Sequence, residues 1–254
     1  MRKISPLSIA ALAAIVAIGV AGQAAALPAT GESEQGAAPD APVVVEMFLS
    51  QSCRLCPPAA DYVAELARRP GVVALAWHID YWNMLSNRNY GRWEDPFSRA
   101  AFTERQRRYN QTIRSRDTVF TPQAVINGEE SAVGSKRDQV EALIGAEREK
   151  SDFARIDIAP GEDAYAVTVA GDPADKCEAF LVTFHPSAMT EVHGGDNAGM
   201  RFEEVNVVSD IVRLGEVAMA ANTFAAPRPG EGMGCAVIVQ EPGQGRIVAA
   251  RYCP

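Results

Sequence analysis

Across its 254 residues the chain carries no Gly-rich phosphate loop and no nucleophilic-serine signature, so nucleotide binding and serine hydrolysis have no motif to rest on. No internal repeat is visible, which argues against a solenoid. Basic residues are in deficit, with 24 Lys and Arg against 32 Asp and Glu. That balance argues against nucleic acid or an anionic membrane as a partner, since both demand basic patches. An apolar run of the roughly 20 residues that a bilayer-spanning helix needs is also missing. Cysteine is sparse and odd in number, five in all, so at least one thiol stays unpaired within the chain. A structural zinc site would need a second ligand pair beside Cys53 and Cys56, and none is present.

What is present begins with Met1-Arg2-Lys3, an apolar stretch from Leu7 to Ala21, and Ala24-Ala25-Ala26. A basic start, a short apolar core and a small-residue exit are the parts of a secretory signal peptide, expected to be cleaved after Ala26. No cysteine follows the alanines directly, which argues against a lipoprotein anchor. Removal of residues 1–26 takes Arg2 and Lys3 but no acid, so the formal charge falls from −8 to −10. Residues 27–41 are small, polar and acidic and read as a flexible leader. All five cysteines lie beyond the cleavage point, where an oxidising compartment permits disulfides.

The remaining chain reads in two parts. Residues 42–151 are expected to form an α/β thioredoxin-like domain. Pro42–Ser50 is a β-branched apolar run, Asp61–Arg69 a helix stopped by Pro70-Gly71, and Val72–Ile79 a second buried strand. An irregular aromatic segment, 80–96, precedes a basic amphipathic helix over Ser98–Arg114, whose arginines read as a solvated face and whose N-cap is expected at Ser98. Gln123–Ile126 and Glu129–Val133 form a hairpin around Asn127-Gly128, and a helix capped by Ser135 runs from Lys136 to Lys150. Residues 152–254 show six short alternating runs with Gly and Pro turns, which predict a β-rich, sandwich-like C-terminal domain. The last two runs, Cys235–Gln240 and Arg246–Tyr252, pair as a hairpin across 241–245.

Cys53-Arg54-Leu55-Cys56 sits between a predicted strand and a predicted helix, the placement of a thiol-exchange pair. A helix N-terminus favours thiolate over thiol, and the thiolate is the nucleophile. Arg54 adds a nearby cation. Cys56 is then placed to resolve a mixed disulfide formed at Cys53. Thr121-Pro122 opens the next strand, where a cis proline would present the backbone of Thr121 to an extended substrate chain. Glu46, seven residues before Cys53, has two open readings: a buried proton relay for Cys56, or a strand-edge carboxylate in water. His78 and Asp80 end the second strand. His78 is expected to be structural, although with Cys53, Cys56 and Met47 or Met84 it could bind a soft metal. Trp82, Tyr90 and Trp93 cover core or line a groove. Cys177, Cys235 and Cys253 can supply one structural bridge, with the pairing open; His185 and His193 have no visible partners.

The blocks VVVEMFLSQSCRLCPPA, WHIDYWN, DPF to RQRRY, and FTPQAVING, in this order, resemble the domain-of-unknown-function 1223 family of exported, thioredoxin-like bacterial proteins with a β-rich C-terminal part. The resemblance runs from about Val43 to the C-terminus and weakens after Gly195-Asp196-Asn197. It implies the fold, the export, and Cys53, Cys56 and Pro122 as redox positions, but no settled activity. Ser52 stands where thioredoxins usually have tryptophan. Pro57-Pro58 shift the expected helix start toward Pro58, which weakens the dipole at Cys53 and leaves Arg54 as the thiolate's support.

The leading expectation is an exported thiol-disulfide oxidoreductase with catalytic Cys53, Cys56, Pro122, Thr121 and Glu46, and with no cofactor or metal. Its expected partners are an extended protein or peptide thiol or disulfide and a redox partner protein, with no nucleic acid and no membrane after cleavage. A copper-binding module built on Cys53, Cys56 and His78, and a secreted scaffold with an inert disulfide, are the alternatives.

Overall fold

The computed structural model describes residues 42–150, 154–171, 176–217 and 221–254. The expected signal peptide and leader, and the expected boundary at 151/152, lie outside these residues. Among the described residues no helix is long and apolar enough to cross a membrane.

The first half follows the apolar runs closely. Strand β1 (Val43–Leu49) leads to helix α1 (Pro57–Leu66), and β2 (Val72–His78) pairs parallel to β1. All seven residues of each strand are buried, because helices cover both faces of this part of the sheet. The pleat sends alternate side chains to opposite faces. Val43, Val45, Met47 and Leu49 join α1 and a later helix, while Val44 and Phe48 join the residues Phe102 and Tyr109.

A short ribbon of β3 (Ser86–Asn87) and β4 (Gly91–Arg92) lies within the aromatic segment, which the sequence left irregular. Helix α2 (Ala100–Arg114) supplies Phe102 and Tyr109. Ser98, expected to cap it, instead donates to the main-chain oxygen of Asp95, and Arg99 holds the N-cap position. The arginines of α2 are not all solvated: Arg107 and Arg108 are exposed, whereas Arg105 is buried. The hairpin of β5 (Gln123–Ile126) and β6 (Glu130–Val133) turns at Asn127 and Gly128, both with positive φ. Helix α3 (Arg137–Arg148) follows, with Lys136 rather than Ser135 at its N-cap.

The second half overturns the expected fold class. A thioredoxin-like domain followed by a separate sandwich requires two sheets with their own cores. Instead β9 (Cys177–Glu191), β10 (Arg201–Val217), β12 (Gly234–Gln240) and β13 (Ile247–Tyr252) continue the sheet of β1 and β2. The result is one mixed eight-stranded sheet in the order β13-β12-β9-β10-β2-β1-β5-β6. The junction is parallel pairing of β10 with β2 at Val207 and Ala76. Among the described residues, β7 (Arg155–Pro160), β8 (Ala164–Ala170) and β11 (Asn222–Pro227) form a second, three-stranded sheet. It packs on alternate residues of β9 and β12, among them Ala179, Leu181, Val237 and Val239. The runs at 177–184 and 202–212 are longer than the short strands their alternation predicts. They belong to a β9–β10 hairpin of 15 and 17 residues, whose far half reaches the cysteine loop. The pairing left open is Cys235 with Cys253, which closes the β12–β13 edge, and Cys177 is buried on β9.

Candidate functional site

Strand β1 ends at Leu49 and α1 starts at Pro57, so Ser50–Cys56 forms the loop at the C-terminal end of β1. Main-chain bonds from the Cys53 N–H to Ser50 O (3.1 Å) and from the Cys56 N–H to Cys53 O (3.0 Å) make two consecutive tight turns. Cys53 and Cys56 are buried, while Arg54 and Leu55 between them are exposed.

The helix begins one residue earlier than expected, with Cys56 as its N-cap. Its carbonyl accepts from the Ala59 and Ala60 N–H groups at 2.9 and 3.0 Å. Pro57 and Pro58 occupy the first two helical positions and have no N–H, so two of the amides a helix N-terminus normally presents are missing. Cys53 therefore draws little from the helix end.

Both cysteines are free thiols in contact with each other. The hydrogen bond with Cys56 is the main cause holding the Cys53 thiol down, to about 7, against the opposing effect of burial. The Thr121 side chain and the Leu55 and Cys56 N–H groups add to it. Burial pushes Cys56 well above its ordinary value, and the adjoining Cys53 adds to this. Arg54, expected to support the thiolate, points to solvent and is not among these causes. Thr121 does meet the pair, its side chain hydrogen-bonded to both thiols; the Thr121-Pro122 peptide bond is cis, and the Thr121 hydroxyl accepts from Trp82 Nε1 at 2.7 Å.

Glu46 is a correction to both of its readings. It is fully buried, yet the alternation of β1 turns it to the α2 face, opposite the side on which the cysteines pack. There Arg105 grips both of its oxygens (2.7 and 3.0 Å), and the Tyr109 hydroxyl donates to one of them. Gln240 of β12 closes this cluster through Arg105 and Tyr109.

A second buried network lies directly beneath the loop. His78 Nδ1 meets Asp95 Oδ2 at 2.8 Å, and Nε2 lies 3.3 Å from Glu204 Oε1, an ion-pair contact without full hydrogen-bond alignment. Burial opposes charge on His78, but the carboxylates of Asp95 and Glu204 outweigh it and raise its pKa well above the ordinary value. Asp95 is lowered: burial works against it, and the His78 charge with the Gln51 and Phe97 N–H groups prevails. The same two carboxylates hold Gln51, through its N–H to Asp95 (2.8 Å) and its Nε2 to Glu204 (2.7 Å). With both ring nitrogens facing carboxylates, His78 is no ligand partner for the cysteines, which removes the copper arrangement. Of the two candidate thioethers, Met84 is 69 % exposed, whereas Met47 is buried in the same cluster as the cysteines.

The tip of the β9–β10 hairpin completes the loop's surroundings. Asn197 Nδ2 donates to the main-chain oxygens of Gln51 and Cys53. Gly195, at φ +68°, lies so close to Ser52 that a Cβ would stand 2.9 Å from its hydroxyl. Trp93 packs edge-on against His193 and donates to Gln51, His185 lies beside Phe97, and Tyr90 is exposed. Asp80 accepts from the Thr103 hydroxyl of α2. Gln51, Asp95, Asn197 and Glu204 carried no local signal, because their contacts in this network span between 17 and 153 residues of sequence.

Comparisons place this arrangement among known proteins. A crystal structure of an Agrobacterium tumefaciens protein is similar over 83 % of this chain and 93 % of that one, at 26 % identity and a TM-score of 0.71. HBP35 of Porphyromonas gingivalis is similar in fold alone, over 84 % of this chain and 74 % of its own, at 13 % identity and a TM-score of 0.55. No curated protein matches the chain. The family model described as a protein of unknown function (DUF1223) matches residues 44–240, a span that contains both cysteines, Thr121-Pro122 and the whole His78 network. The chain belongs to the DUF1223 family.

Proposed function

We propose that this protein exchanges thiols and disulfides through Cys53 and Cys56. The observation that carries the reading is the asymmetry of two touching thiols, with Cys53 held at about 7 and Cys56 pushed well above its ordinary value. An attacking thiol works best with a pKa near ambient pH, because enough thiolate is then present without loss of nucleophilicity. Cys53 attacks a substrate disulfide, forming a mixed disulfide and expelling one substrate thiolate, which takes up a proton. Cys56 then loses its proton and attacks the Cys53 sulfur. The Cys53–Cys56 disulfide forms and the second substrate thiolate leaves. In this direction the substrate is reduced and the protein oxidised; the reverse sequence oxidises a substrate dithiol.

The proposed substrate is an extended protein or peptide chain lying along Thr121, with Leu55, exposed between the cysteines, as an apolar contact. A separate redox protein would reset the pair. We place the activity outside the cytoplasm, a reading supported by the N-terminal sequence and by the Cys235–Cys253 bridge, which an oxidising compartment favours.

The test is Cys56→Ser in the mature protein. It should accumulate adducts through Cys53 that dithiothreitol releases. Absence of any adduct with either reduced or oxidised protein substrates would overturn the reading. Redox titration of the wild-type pair then sets the direction, between about −270 mV for reductants and about −120 mV for strong oxidants.

A further inference from the structure

Since Glu46 is turned to the other face, the polar neighbours of the cysteines come from elsewhere. One of them is Tyr81, the first residue of the short turn Tyr81–Met84 that follows β2. Its hydroxyl oxygen is buried and has no aligned hydrogen-bond partner among the described residues. Buried polar atoms in native proteins are nearly always paired, so an orphan asks for an explanation.

Three features surround this hydroxyl. It faces the side chains of Thr121 and Gln106, short of full hydrogen-bond alignment with either, and both cysteines act on it electrostatically. Gln106 Nε2 is committed to Phe120 O (2.7 Å) and Gln123 Oε1 (2.9 Å), which fixes the amide and leaves its Oε1 without a partner. Thr121 Oγ1 accepts from Trp82 Nε1 at 2.7 Å, and its own proton is available to the sulfurs it contacts. Two orphaned atoms therefore lie beside a threonine that touches both thiols.

We propose that Tyr81 is a positioning residue of the exchange, whose hydroxyl turns between Gln106 Oε1 in the dithiol and Thr121 Oγ1 when a thiolate forms. In the second state Tyr81 O–H donates to Thr121, and the Thr121 O–H donates to the sulfur anion. Each donor strengthens the next, as in other hydrogen-bond chains. No proton changes hands in this relay. Burial raises the Tyr81 phenol above its ordinary value, so it donates without ionising. The proton lost by Cys56 goes to the departing substrate thiolate. The inference rests on the exchange reading for its purpose, but its physical content is the acidity of Cys53.

The experiment is Tyr81→Phe in the full mature chain, reduced and alkylated with iodoacetamide across pH, with Cys53 adducts located by peptide mass spectrometry. The midpoint of Cys53 alkylation should rise by about one pH unit, about a tenfold loss of thiolate below the midpoint. Thermal unfolding should fall only modestly, since one neutral hydrogen bond, from Tyr81 to Gln106 Oε1, is removed. Incorporation of a fluorotyrosine at position 81, a more acidic donor, should move the midpoint the other way; it also supplies the answer if the phenylalanine variant fails to fold. An unmoved midpoint in a folded variant overturns the relay. If the midpoint moves as expected but the wild type forms no mixed disulfides, the relay stands and the exchange reading falls.

Discussion

Asn197 Nδ2 donates to the main-chain oxygens of Gln51 and Cys53 at 2.8 and 2.9 Å, joining a hairpin tip to a loop 144 residues earlier in the chain. Both acceptors are buried, and Cys53 is only 1 % exposed. Replacing Asn197 by Ala leaves two buried carbonyls without this donor, which should cost about 1–3 kcal/mol. The same change should loosen the tip and speed alkylation of Cys53 at fixed pH. Asn197→Asp should be the worse variant, because its carboxylate faces two carbonyl oxygens that it cannot donate to. Denaturant unfolding and alkylation rates measure the two effects. A slower Cys53 in a destabilised Asn197→Ala protein would contradict the clamp.

The Asp95–His78–Glu204 array sets a pH window for stability. The folded pKa of His78 is raised, so its contribution is full below the unfolded value of about 6.5 and is lost as pH climbs through the folded one. The folded pKa of Asp95 is lowered, so its contribution is full above about 3.9 and is lost as pH falls through the folded value. Stability should therefore be greatest between about pH 4 and 6.5 and decline on the alkaline side. Cys53, depressed on folding, acts with the opposite sign above about 7, so the measurement belongs in a Cys53→Ser, Cys56→Ser background. Urea unfolding against pH should show the alkaline decline there, and His78→Gln should abolish it. That variant should also lose about 3–5 kcal/mol, the usual cost of breaking a buried ion pair.

Glu46 separates structural from catalytic carboxylates. Glu46→Gln removes the anion that Arg105 and Tyr109 bind and leaves the buried guanidinium uncompensated. A loss of about 3–5 kcal/mol is expected, read by denaturant unfolding. The alkylation midpoint of Cys53 should not move, because Glu46 lies on the opposite face of the sheet. A shift of half a unit or more, roughly 0.7 kcal/mol, would restore Glu46 as a proton relay.

The Cys235–Cys253 bridge should be a staple and no part of the exchange. It closes a separation of 18 residues, for which chain entropy gives about 3 kcal/mol. The double variant Cys235→Ala, Cys253→Ala should lose about that much stability while Cys53 keeps its alkylation midpoint. Loss of mixed-disulfide trapping at Cys53 in the folded double variant would assign the bridge a redox role instead.

Much of the molecule was legible along the chain. The apolar runs of β1, β2 and β5 predict their strands because both faces of those strands are buried, and the cysteine spacing with Thr121-Pro122 points to one cluster. Periodicity reports local elements, so these features need no knowledge of distant partners. It could not report that β10 pairs with β2, since strand pairing is a choice among all available edges. That pairing turned an expected separate sandwich into an extension of one sheet. The face taken by Glu46 followed from register within the sheet, and Arg105, in a row that the sequence alone reads as solvated, became its buried counterion. Asn197 and Glu204 reach Gln51 and the cysteine loop because a hairpin of 15 and 17 residues folds back onto it. The sequence by itself determined which two sulfurs meet. The tertiary structure decided how deeply they are buried and brought Thr121 against them, because burial and side-chain contacts act across space without regard to distance along the chain.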